Sequence, residues 1–141
     1  MSLSLSILLS PWWDPWRYSL SALGSSSNGL GGAVFNGGLA LTAIQMEKES
    51  SNQLLSLIAL VLALVAAINI DFGALHFAVS LLLFVLLYAY VLSHASLLSY
   101  LGTAVSLSLW FLHFAYGIPP GIAIPELSVI VLALYYYIAH P

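Results

Sequence analysis

No cysteine occurs among the 141 residues, which removes disulfides, thiolate metal sites and cysteine nucleophiles together. Charge is almost as scarce. Only 5% of residues are Asp, Glu, Lys or Arg, against roughly a quarter in an ordinary soluble domain. Two basic and five acidic side chains cannot coat a soluble particle of this size, and the net charge of −3 excludes a nucleic-acid binder, which must neutralise phosphates with Lys and Arg. What remains is apolar: 62% hydrophobic residues and a mean hydropathy of +1.05. The expected solvent is lipid.

A helix crossing about 30 Å of hydrocarbon needs about 20 mostly apolar residues. Runs of about that length bounded by turn residues or charges predict an all-α, polytopic transmembrane helical bundle of about five spans, at 29–46, 53–70, 74–93, 96–116 and 122–139. Ser27 or Asn28 is placed to cap the first. The connections Asn69–Gly73 and His94–Ala95 are short, so the helices they join form tight hairpins. Gly117-Ile118-Pro119-Pro120-Gly121 ends the fourth span, and Pro125 is tolerated in the first turn of the fifth. Residues 1–28 form a separate segment. Its apolar start is too short to cross and lacks the basic flank of a secretory signal. It is expected to lie interfacial or re-entrant, with Trp12, Trp13, Trp16 and Tyr18 at headgroup level. The alternative is the remnant of a sixth helix. The Leu/Ser alternation at 2–6 and 105–109 reads as compositional, not as strand.

Five alternating spans collect Asp14, Arg17, Asn28, Asp71, His76, His113 and Glu126 at one membrane face, and Glu47, Lys48, Glu49, His94 and His140 at the other. Placing Lys48 in the cytoplasm puts the first group outside. Counting residues from the turns, His76, His113 and Glu126 each lie roughly 4 to 8 Å inside the boundary, with Asn36 deeper. Ionisable groups at membrane depth cost on the order of 3 kcal/mol each and normally face the bundle interior. The expected result is a polar pocket holding His76, His113, Glu126, Asp71 and Asn36, opening towards the Trp12–Tyr18 segment. His76, His113 and Glu126 are also the candidate metal ligands and the candidate acid–base residues.

Plainer roles compete at each position. Interfacial histidines often only complete a hydrogen bond, Asp71 suits a turn or cap, and Asp14 with Arg17 suits a solvated local ion pair. Tyr135-Tyr136-Tyr137 and the Trp110–Tyr116 cluster suit aromatic belts. Gly29–Gly38 is no phosphate loop, since no Lys follows at the required spacing.

The stretch Trp16-Arg17-Tyr18-Ser19-Leu20-Ser21-Ala22-Leu23-Gly24, followed by Val34-Phe35-Asn36-Gly37-Gly38-Leu39, resembles the prokaryotic membrane family called domain of unknown function 998. His76 opening a helix and Ala123-Ile124-Pro125-Glu126-Leu127 are similar to two further marks of that family. The resemblance implies a helical protein of a prokaryotic cell membrane, usually with six helices and without a settled activity. It adds Ser19 and Ser21 to the candidate ligand-binding residues, beside Asn36, His76 and Glu126.

The expected function is therefore a multi-pass membrane protein whose polar pocket binds a small ligand, a lipid headgroup or a metal, with membrane hydrolysis one of its possible outputs. A noncatalytic subunit of a larger membrane complex is the alternative, its homo- or hetero-oligomeric contact being the Gly31–Gly38 helix face. A transporter or channel component is third. Composition leaves open whether the protein is an enzyme and names no cofactor.

Overall fold

A computed structural model describes residues 1–140. It is all-α, with no strand among the described residues. Among the described residues six α-helices follow one another: α1 (Ser2–Leu8), α2 (Gly29–Glu49), α3 (Gln53–Ala67), α4 (Ala74–Leu92), α5 (Leu97–Tyr116) and α6 (Ala123–Ala139). Short 3₁₀ turns lie at Ser21–Gly24, Ser26–Asn28 and Ile70–Phe72. The chain divides into two compact units, one comprising Met1–Trp13 with Ser21–Leu83, the other Asp14–Leu20 with Phe84–Pro141.

In the first unit the Leu/Ser alternation at the N-terminus turns out to be helical and structural. Ser2 and Ser6 are one turn apart and share the face of α1 that meets the glycines of α2. Ser6 is fully buried and donates to the Gly31 carbonyl at 2.7 Å. A Cβ on Gly38 would overlap Ser2, and one on Gly31 would meet the Ser10 hydroxyl. Ser2 lies against Gly38 and Ser10 against Gly31, so α1 runs antiparallel to α2. Small residues on both sides allow this close approach. Three of the glycines expected to face another chain make contacts within the unit, Gly31 against Ser10, Gly32 against the Ser25 carbonyl and Gly38 against Ser2, while Gly37 faces open space.

Helix ends follow local hydrogen bonding. Neither Ser27 nor Asn28 caps α2 through its side chain; Ser25 instead caps the 3₁₀ turn ahead of it. The Asn52 side chain accepts from the Leu55 amide at 2.9 Å and starts α3. α3 ends at Ala67, short of the expected 70, because the Asn69 side chain accepts from Asp71 N at 3.1 Å and winds Ile70–Phe72 into a 3₁₀ turn. An open groove of about 850 Å³ lies beside α2 and α3, lined by Ala43, Ile44, Leu57 and Leu60 among others. In the second unit, Ser96 and Ser99 form a reciprocal capping box at the start of α5. Gly117, at φ +66°, ends α5 in the left-handed region that glycine adopts without penalty.

Helix lengths sort the five expected spans. α4 (19 residues) and α5 (20 residues) are long and apolar enough to cross a bilayer. α3 and α6, at 15 and 17 residues, are apolar but shorter. α2 is long enough, but glycines, Asn36, Thr42 and Gln45 dilute it, and it does not qualify as a span. Two of the five expected spans meet the length and composition required of a crossing.

Candidate functional site

His76 lies in the first turn of α4 and is buried, 7% exposed. Its Nδ1 is 2.5 Å from the Ile68 carbonyl oxygen. A carbonyl only accepts, so a hydrogen resides on Nδ1, and in the tautomer with that single hydrogen the other nitrogen is an acceptor. That nitrogen, Nε2, meets two hydroxyls: Ser21 Oγ at 2.9 Å and Ser80 Oγ at 3.1 Å. Ser80 sits one helical turn beyond His76, as helical geometry requires of side chains sharing a face. Ser21 comes from 55 residues away, at the head of the Ser21–Gly24 turn.

That turn is itself held by polar contacts within the first unit. The Asn36 side-chain amide donates to the Gly24 carbonyl at 2.8 Å, and the Asn28 amide donates to the Leu23 carbonyl and Ser10 Oγ, both at 2.8 Å. Gly24 leaves no room for a Cβ, which would stand 2.6 Å from Asn36 Oδ1. Asp71 accepts from Ser25 Oγ at 2.9 Å and from the Ser26 amide at 2.8 Å. Ser26 foremost, then Ser25, holds this solvent-exposed carboxyl below its usual range, because each donor favours the charged form. Asp71 is therefore a loop fastener and not a partner of His76.

Glu126, in the first turn of α6 and only 3% exposed, belongs to the second unit. Its Oε2 accepts from the backbone amide of Leu20 at 2.6 Å. The same stretch pairs along its backbone with the start of α6: Gly121 N donates to Trp16 O at 2.9 Å and Ala123 N to Tyr18 O at 3.0 Å. A Cβ at Gly121 would overlap the Arg17–Tyr18 peptide, so this pairing requires glycine. Asp14 accepts from the amides of Trp16 and Arg17, both at 2.9 Å, and starts the stretch with a local turn. Its Oδ2 is 3.9 Å from Arg17 Nε in an exposed pair, which contributes little. His113 Nδ1 lies 2.7 Å from the Pro119 carbonyl oxygen, so it serves to fasten the α5–α6 turn. Ser19 is half-buried in the same unit and is itself engaged.

The expected residues therefore sort into separate arrangements. Ser21, Asn36, Asp71 and His76 belong to the first unit, and Ser19, His113 and Glu126 to the second. Within the first, Ser21 and His76 are hydrogen-bonded, while Asn36 and Asp71 shape the loop around them. Within the second, Glu126 and His113 each hold a backbone group of a different turn. Among the described residues no three His, Asp or Glu side chains stand close enough to hold a metal ion. The metal expectation for His76, His113 and Glu126 gains no support from this geometry.

Two polar arrangements were not anticipated. Tyr88 Oη, Ser106 Oγ and Ser128 Oγ form a chain of 2.6 Å bonds ending on the Pro125 carbonyl, in the second unit. Ser106 was part of the 105–109 alternation, and its burial is the signal that a helical projection of that stretch carries. Around His94, the rings of Tyr136 and His140 lie at 4.3 and 5.0 Å, so the histidines placed in solvated turns in fact pack against aromatics. No family profile, no curated protein and no solved structure matches this chain. The resemblance carried by Trp16–Gly24, Val34–Leu39, His76 and Ala123–Leu127 rests on those residues alone.

Proposed function

We propose that the chain is a multi-pass integral membrane protein of a cell membrane, and that the loop holding Ser21 against His76 is its site for a small polar ligand or a lipid headgroup. One observation carries the membrane reading. The apolar stretches of α4 and α5 are only 22% and 17% buried, whereas the core helix of a soluble protein is mostly covered. Leu75, Phe77, Leu81 and Val85 stand exposed along α4, and Leu101, Val105, Phe111 and Phe114 along α5. Contiguous apolar surface on this scale is stable in lipid and a liability in water.

The buried face of α5 is lined by small polar residues. Ser99, Thr103 and Ser106 are buried at helical spacing, while larger apolar residues point away. That arrangement suits a helix whose outer solvent is hydrocarbon: Ser106 bonds Tyr88 of α4 and Ser128 of α6, while Ser99 bonds the Ser96 carbonyl at the start of its own helix. α3 and α6 measure about 22 and 26 Å at 1.5 Å per residue, and local bilayer thinning accommodates spans of that length. The site reading rests on chemistry: a ligand entering the Ser21–His76 loop meets a hydroxyl, an imidazole and the amides of a 3₁₀ turn.

Alkaline carbonate extraction of membranes containing the full chain tests the first half. The chain stays in the membrane pellet. Recovery in the soluble fraction, folded and monodisperse, would overturn the proposal.

A further inference from the structure

We propose that Ser21 is a nucleophile whose hydroxyl proton is taken by His76, and that the substrate class is an amphiphilic carboxylic ester. The parts of a serine–imidazole pair stand in order. Ile68 O fixes the hydrogen on Nδ1, which turns the basic lone pair of Nε2 towards Ser21 Oγ at 2.9 Å, inside the range for direct proton transfer. Ile68 O holds the third place, that of the group orienting the base. Being neutral, it orients the ring but stabilises the imidazolium less than a carboxylate would. The pair is therefore a slow one. Ser80, the second hydroxyl at Nε2, lies within α4 and has the alternative of donating to the carbonyl one turn back. Ser21 opens a 3₁₀ turn and is half-buried, which keeps it within reach of a ligand.

The step balances without a metal or redox partner. Ser21 Oγ bonds to the ester carbonyl carbon while its proton passes to His76 Nε2. The carbon–oxygen bond to the alcohol breaks, and that oxygen leaves with the proton from Nε2. Water then attacks the acyl-Ser21 carbon, delivers its proton through Nε2 to Oγ, and the carboxylic acid departs. An ester with an acyl chain is favoured over a water-soluble one because the exposed apolar faces of this chain call for a lipid environment, a clause that rests on the membrane reading. The nucleophile itself does not depend on that reading.

The test uses the full chain in mild detergent, with an alkyl fluorophosphonate as probe. Oγ bonds to phosphorus, fluoride leaves and the hydroxyl proton is released as acid. Mass spectrometry of the digested protein is expected to find the adduct on Ser21 and to lose it in Ser21→Ala. His76→Ala labels at least about 100-fold more slowly, the contribution of a positioned base. Should His76→Ala fail to fold, Ser21→Cys supplies the same test. It creates the sole thiol of the chain, and His76 is expected to make its alkylation by iodoacetamide at pH 7 at least about tenfold faster than that of the same protein unfolded in urea. Absence of an adduct on Ser21 in folded protein, or equal labelling in folded His76→Ala, would overturn the proposal. So would alkylation of the folded Ser21→Cys thiol no faster than that of the unfolded chain. None of these outcomes bears on membrane residence, which carbonate extraction reads separately.

Discussion

Replacing Glu126 by alanine removes the acceptor of the Leu20 amide, and the consequence is readable at a single peptide bond. Leu20 and Glu126 are 7% and 3% exposed, so water does not take the place of the lost carboxylate. Stranding a buried donor costs about 1–3 kcal/mol. Opening of the Asp14–Leu20 stretch then becomes easier by that energy, or roughly 5- to 140-fold in population. Trypsin reports it directly, because the chain offers only Arg17 and Lys48. The Arg17–Tyr18 bond lies between the two backbone pairings to Gly121 and Ala123, whereas Lys48 is exposed near the end of α2. With trypsin dilute enough that opening equilibrates before cleavage, the rate at Arg17 follows the open population. Glu126→Ala is expected to raise the Arg17-to-Lys48 cleavage ratio by that factor. Glu126→Gln keeps an acceptor oxygen and similar volume, and raises it less than about fivefold, the scale of one neutral hydrogen bond. An unchanged ratio in Glu126→Ala would refute the role given to the Leu20 contact. Equal increases in Ala and Gln would show that charge, not the acceptor, matters.

Three further outcomes are expected. Gly121→Ala forces a methyl into the Arg17–Tyr18 peptide and costs about 1–3 kcal/mol, so it too raises cleavage at Arg17, with Lys48 unchanged. Asp71 titrates lower folded than its usual 3.8, so its support for the Ser25–Ser26 loop is full above about that pH and fades as pH falls through the lower folded value. Amide exchange at Ser26 accelerates over that acid range in the parent protein and shows no such step in Asp71→Asn. Val105→Arg, on the exposed face midway along α5, disfavours insertion by about 2.5–3.5 kcal/mol if that face meets lipid, and changes stability by less than about 0.5 kcal/mol if it meets water. The membrane-inserted fraction of the variant distinguishes the two.

Much of the helix order could be read from the residues, because lipid-length apolar runs and their punctuation are local signals. Asp71 is legible as a turn residue, since Asn69, Asp71 and Gly73 are turn formers at alternate positions. The end of α3 was not, because Asn69 capturing the Asp71 amide is a choice between two local hydrogen-bonding schemes that apolar periodicity does not weigh. His76 stood out as an expensive group in an apolar run, yet its partner lies 55 residues away. Ser21 entered the candidate set only through a motif resemblance. Glu126 was selected for its cost in the membrane, and the expectation was another side chain. It binds a backbone amide, which every residue carries and no composition betrays. The serines of α1 read as compositional because a seven-residue helix has too few turns for its periodicity to register. Their small size facing Gly31 and Gly38 was the signal.

Whether α4 and α5 turn their apolar faces to lipid is directly measurable, because the sequence has no native cysteine. Single cysteines at Val85, Val105 and, as a solvent control, Ser51 are to be challenged with a charged maleimide in unsealed vesicles. The thiols at 85 and 105 stay unmodified until the bilayer is dissolved, while that at 51 reacts at once. Rapid modification of 85 and 105 in the intact vesicles would contradict the account.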